Sequence, residues 1–254
     1  LKHIITTYFT NIFNLKKSYY NLNIITYTYF LIFHFFKKIF LRSLWKKNII
    51  HNHQTNKKII YFPLHFQPER STDPEAFIYS DQFMAIETLS KYIPKNWEIW
   101  VKEHPRQNPI EFPNIRRLHY RNPKDYYKLI SISNVKLLDV NFSSELGLKI
   151  SHLVASCTGS ILWEGLLCNK SVIRFGTTWH DSCKSCYYIK DVINNKNFFN
   201  DKKIFDIKNI KQNVDLFIND LSNYAINSSN SELFAKKSKI SEKLLISNFV
   251  TFLT

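Results

Sequence analysis

The residues most able to do chemistry in this chain lie at Thr158-Gly159-Ser160, followed four residues after Ser160 by Glu164, and at Lys102-Glu103-His104-Pro105. Thr158, Gly159 and Ser160 follow the apolar run Leu153 to Ala155 and precede Ile161, Leu162, Gly165 and Leu166, which recur at helical spacing. This reads as strand, tight turn, helix. Free amides at a helix start favour an anion beside Ser160, by roughly 0.3 to 1 kcal/mol from the dipole. Glu164 lies one turn deeper on the same face, about 6 Å along, where it could take ribose hydroxyls while a phosphate sits at the turn. The plainer reading is a capped helix with Glu164 in solvent. Trp97 to Val101 is strand-like and leads to Lys102 and His104, with Pro105 turning the chain out. A lysine there supplies a point charge, and an imidazole can donate to a phosphate oxygen or protonate a leaving group.

A third strand, Lys58 to Phe62, runs into His65, Gln67 and Glu69 at alternate positions, so an extended segment would project all three to one side. In an open parallel sheet the ligand crevice lies outside the carboxyl ends of the strands, which would bring these three strand ends to one rim.

These residues resemble the bacterial capsule and surface polysaccharide biosynthesis proteins that include the Kdo transferases of capsule assembly. The resemblance is carried by Tyr61 to Glu69, by Val101 to Pro105, by Thr158 to Glu164, and by Val172 to Gly176 with Trp179 after it, over about residues 57 to 190. It implies the nucleotide-binding half of a two-domain GT-B glycosyltransferase acting on a nucleotide-sugar donor, CMP-linked in many such families, and a glycan or glycolipid acceptor. On that resemblance His104, Thr158, Gly159 and Ser160 attend the donor phosphate and Glu164 holds the ribose; the residues themselves add Lys102 as a charge at the phosphate and His104 as the candidate for assisting the leaving group. His65, Gln67, Glu69, Ser143 and Ser144 are further cleft candidates. A nucleotide-sugar epimerase, and a non-catalytic remnant or membrane-associated scaffold, are the alternative readings.

The supporting elements fit a doubly wound α/β domain over residues 57–254, with a basic aromatic helical segment, 1–56, ahead of it. A helix over Asp81 to Ile93 sets Phe83, Ile86, Leu89 and Ile93 on one face and stops at Pro94. A short strand is expected at Ile115 to Leu118, a helix at Pro123 to Ile130, a strand at Val135 to Leu138, and a helix at Glu145 to Ile150 entered through Asn141, Ser143 and Ser144. Lys170 to Phe175 reads as the strand after the Glu164 helix, and Val214 to Leu221 and Ser241 to Phe252 as amphipathic helical pieces expected to pack toward a second domain. Alternating strands and helices with short polar links indicate a mostly parallel sheet.

Among the 254 residues, 44% are apolar, enough for a sizeable core. Four cysteines give no disulfide framework, so a reducing cytoplasm is the expected compartment. His180, Cys183 and Cys186 lack a fourth ligand at usable spacing, and no Asp-x-Asp pair occurs, so neither a metal nor another cofactor is expected. The net charge is +15, and residues 1 to 55 contribute eight Lys and Arg with no Asp or Glu. That segment is also crowded with rings, among them Tyr27, Tyr29, Phe30, Phe33, Phe36, Phe40 and Trp45. Basic plus aromatic suggests peripheral contact at the inner face of the cytoplasmic membrane, while Ser18, Asn21, Asn23 and His34 weaken a spanning reading of the uncharged run between Lys17 and Lys37. Nucleic-acid binding is not expected, because the basic residues are not interleaved with a recognition module. The first residue, Leu1, leads one to expect a fragment.

Overall fold

The computed structural model describes residues 24–67, 69, 72–107 and 121–222. Among the described residues six strands are formed: β1 (Lys58–Pro63), β2 (Trp97–Lys102), β3 (Val135–Leu138), β4 (Leu153–Ser156), β5 (Val172–Arg174) and β6 (Cys186–Tyr188). They form one sheet in the order β3-β2-β1-β4-β5-β6, with every pair parallel. This is the expected doubly wound α/β arrangement in a Rossmann-like order. The order reverses between β1 and β4, so the crevice of such a sheet opens between their carboxyl ends.

The sheet is buried on both faces, which explains the nearly continuous apolar runs of its central strands. Alternation divides each strand between two cores. Ile60, Phe62, Ile99, Val101 and Ala155 face one; Ile59, Tyr61, Trp100 and Val154 face the other.

The first face is covered by α1 (Ile24–Lys47), α2 (Gln82–Tyr92), α3 (Pro123–Ser131) and α6 (Ile189–Asn194), and the short α7 (Lys202–Phe205) adds Ile204 to the same core; the second is covered by α4 (Ser144–Ile150), α5 (Ile161–Leu167) and α8 (Ile207–Ser222). The expected helix after Asp81 is α2. Asp81 itself is its N-cap, accepting from the amides of Phe83 and Met84. The strand expected over Lys170 to Phe175 is shorter, three residues long. The amphipathic piece expected at Val214 to Leu221 belongs to α8, which turns Ile210, Val214 and Phe217 into the second core rather than away from the domain. The strand expected at Ile115 to Leu118 and the helix at Ser241 to Phe252 lie outside the described residues.

The basic aromatic segment is helical as expected, over Ile24–Lys47. Its carboxyl half is tied to the sheet by Leu41 and Trp45, both in the first core; the Trp45 indole donates to the Leu138 carbonyl at 2.9 Å and its ring meets Tyr126. The chain then adds a single parallel rung to β3, Ile49 against Leu137. No helix among the described residues is long and apolar enough to cross a membrane.

Candidate functional site

Because β1, β2 and β4 are parallel neighbours, the segments after Pro63, Lys102 and Ser156 leave the same edge of the sheet. The strand pleat then sorts their side chains. Lys102 follows Trp100 on the second face, where Tyr61 also lies, and Glu103 turns to the first.

On the second face Lys102 is buried and its ammonium donates to the Ser144 hydroxyl at 3.2 Å. Ser144 also meets the Tyr61 hydroxyl at 3.4 Å. Among the described residues no carboxylate lies within ion-pair distance of Lys102, and burial pulls its pKa down. Burial likewise pushes the Tyr61 phenol up to about 12, with the nearby Glu164 charge adding to the shift. Glu164 is exposed and accepts from the Ser160 hydroxyl at 3.1 Å. Lys102 and Ser144 thus meet at the end of Tyr61, and the Glu164 that bonds Ser160 is near enough for its charge to act on the phenol. The tyrosine seats closely on α4: a Cβ on Gly147 would come within 2.7 Å of its ring.

Ser143 differs from its neighbour, since its hydroxyl caps α4 by accepting from the Leu146 amide. Ser160 does not cap α5. It has helical backbone angles and turns its hydroxyl to Glu164 instead, so the acid and the hydroxyl expected to serve separate parts of a ligand are bonded to each other.

His65 bridges β1 and β4 beneath the turn. Its Nε2 lies 2.8 Å from the Ser156 hydroxyl and 3.4 Å from the Thr158 amide, and its Nδ1 is 3.6 Å from Glu69. An amide can only donate, so this network suits an imidazole whose proton is on Nδ1 and faces Glu69. The hydrogen bond from His65 and, less, the His104 charge hold the Glu69 carboxyl below the usual range. Gly159 packs directly on the ring, since a Cβ there would come within 2.7 Å of Cε1. The backbone of His65 is clamped by the Gln82 amide, which accepts from its N–H and donates to its carbonyl.

The expectation that His65, Gln67 and Glu69 project together is corrected for Gln67, since His65 and Glu69 still meet at 3.6 Å. His65 and Gln67 are inside and Glu69 is outside. Gln67 belongs to a closed network on the first face: it donates to the Ser80 carbonyl and accepts from the Arg121 guanidinium. Its amide N–H and carbonyl pair with Gln107. Arg121 is matched to Glu103 through Nε at 2.9 Å and Nη2 at 3.2 Å, and also reaches the His65 carbonyl at 3.0 Å. The Tyr126 hydroxyl donates to Glu103 at 2.5 Å. A carboxylate in so many bonds fixes the loop that carries His104, whose own amide donates to Glu103 at 2.7 Å.

His104 is half-buried. Its Nδ1 accepts from the Arg106 amide at 3.1 Å, which leaves the proton of the neutral ring on Nε2. Burial depresses its pKa, against the opposing pull of Glu103 and Glu69. The ring lies against Phe66 and borders a hollow of about 220 Å³ whose other walls include Arg42, Trp45, Lys46, Asp139 and Asn141. Glu69, whose carboxyl pKa the His104 charge helps to lower, pairs with His65, and His65 accepts from the Thr158 amide.

Tyr61, Gln82 and Arg121 were not singled out from sequence. Gln82 had a signal, four residues before Ile86 on the core stripe of α2, where a polar side chain needs a buried partner. Among the described residues no group of three or more His, Cys, Asp or Glu could hold a metal ion. His180 is buried with neither ring nitrogen bonded, among Trp163 and Trp179, and burial pulls its pKa to about 4.

No protein-family model matches the chain, and no curated protein matches it. Among solved structures it is similar to Thermosulfurimonas dismutans KpsC, the beta Kdo 2,7 transferase, at 16% identity and a TM-score of 0.42, over 66% of this chain and 47% of that one. It is also similar to S. aureus MnaA in a structure with UDP, at 16% identity and a TM-score of 0.39, over 66% and 44%. A putative UDP-N-acetylglucosamine 2-epimerase from Listeria monocytogenes matches at 11% identity and a TM-score of 0.31, over 69% and 42%. The chain spans less than half the length of each of these.

Proposed function

We propose that this chain is the donor-binding half of a glycosyltransferase that uses a nucleotide-activated sugar in capsule or surface polysaccharide assembly. The observation that carries the reading is Lys102, buried at the carboxyl end of β2 one strand from the sheet's switch point, its ammonium bonded to the Ser144 hydroxyl and lacking a carboxylate counter-ion among the described residues. A buried cation without an acid is stabilised by any anion that reaches it. The resemblance carried by the four sequence motifs supports the phosphate of a nucleotide sugar as that anion.

In this reading Lys102 and Ser160 receive the phosphate and Glu164 exchanges its bond to Ser160 for ribose hydroxyls. His104, neutral at pH 7 with its proton on Nε2, is a hydrogen-bond donor for charge developing on the departing nucleotide. His65 and Gly159 act beneath the turn as positioning residues.

The test is calorimetric titration of CMP and UDP into the full chain and into Lys102→Met and Glu164→Ala. Binding of either nucleotide, weakened at least tenfold (about 1.4 kcal/mol) in both variants, is the expected outcome. Absence of nucleotide binding, or equal affinity in the variants, overturns the reading. Supplying a nucleotide sugar without acceptor and following the sugar by NMR separates transfer from isomerisation.

A further inference from the structure

Helix α1 has two apolar faces. One is covered, through His34, Leu41 and Trp45. The other carries Tyr29, Ile32, Phe33, Phe36, Ile39 and Phe40, whose exposures run from 42% to 71%. Their spacing of three and four residues lines them along one side for about 16 Å. Single exposed apolar residues are ordinary, but a contiguous aromatic stripe on a helix already anchored by its opposite side marks a surface that something covers.

Charge selects the occupant. Arg42, Lys46 and Lys47 are exposed at the carboxyl end of the stripe, and residues 1 to 55 contain no acid to neutralise them. Protein interfaces are depleted in lysine, whereas an anionic bilayer accepts rings at the level of its headgroups and cations against its phosphates. We infer that α1 lies flat on an anionic membrane surface, with Tyr29 to Phe40 sunk into the interface and Arg42, Lys46 and Lys47 on the headgroups. Arg42 and Lys46 also wall the hollow beside His104, so attachment turns that hollow toward the membrane, where a lipid-linked acceptor would lie. Only this last consequence rests on the donor-site reading.

Co-sedimentation of the nucleotide-free full chain with vesicles of phosphatidylcholine, alone or mixed with phosphatidylglycerol, tests the attachment. Pelleting with the anionic vesicles that weakens as salt is raised is expected. Phe36→Asp with Phe40→Asp should lower partitioning at least tenfold without shifting the thermal midpoint, since both rings are exposed. Lys46→Glu with Lys47→Glu should remove the preference for anionic lipid. The inference is overturned if the wild type stays in the supernatant with both vesicles, or if the aspartate pair pellets like wild type. It is equally overturned if the wild type is a dimer that the aspartate pair converts to monomer, which assigns the stripe to a second copy.

Discussion

Lys102 and Glu103 are adjacent in sequence, both buried, and opposite in circumstance. Glu103 is enclosed by Arg121, Tyr126 and the His104 amide, a charge fully matched from within the chain. Lys102, on the other side of the sheet, has a hydroxyl for a partner and no acid within reach among the described residues. A satisfied buried charge holds the loops in place; an unsatisfied one beside the switch point is what a ligand can complete. The same strand end therefore supplies the scaffold with one residue and the candidate binding group with the next.

Breaking the matched side should have the largest effect. Arg121→Met abandons Glu103 in the first core, and a loss of about 3–5 kcal/mol in urea unfolding is expected. Lys102→Met reverses the pattern: stability should stay within about 1 kcal/mol of wild type or rise, since the substitution strands no acid. A loss there as large as that of Arg121→Met would show that Lys102 is part of the scaffold.

The smallest effect sharpens the boundary between the two sides, where His104 stands. Its folded pKa lies below the 6.5 of the free group, so the unfolded chain takes up the proton first as pH falls. The stability it favours is fully present above pH 6.5 and lost below it. His104→Asn should make the urea midpoint slightly less sensitive to acid below that pH, leaving the values above it nearly unchanged.

Much of this was legible because strands buried on both faces announce themselves as apolar runs, and Pro63, Pro94 and Pro105 mark where elements stop. The sites after β1, β2 and β4 follow from those endings once the strands are parallel. The facing of individual side chains did not follow. Tyr61 reads as one more apolar residue in Lys58–Pro63, and only the alternation of the folded strand turns its hydroxyl to Ser144 and Lys102. Gln67 was read from its spacing as a neighbour of His65 in a cleft; the chain there leaves extended geometry, and a buried guanidinium from sequence far downstream claims it. Arg121 sits in an unremarkable polar run before Pro123, and a long-range ion pair of that kind has no local pattern to reveal it. The stripe on α1 was legible as composition, but its division into one anchored and one open side required the positions of Leu41 and Trp45.

The single rung between Ile49 and Leu137 gives α1 a second task. Among the described residues β3 is the outermost strand on its side of the sheet, and an uncovered margin of that kind offers its amides and carbonyls to any passing extended chain. With Ile50 donating to the Leu137 carbonyl and the Trp45 indole to that of Leu138, two such acceptors are already spoken for. Whatever pulls this helix away from the domain therefore also uncovers a template for misassembly, and the segment that faces outward is at the same time the guard against clumping.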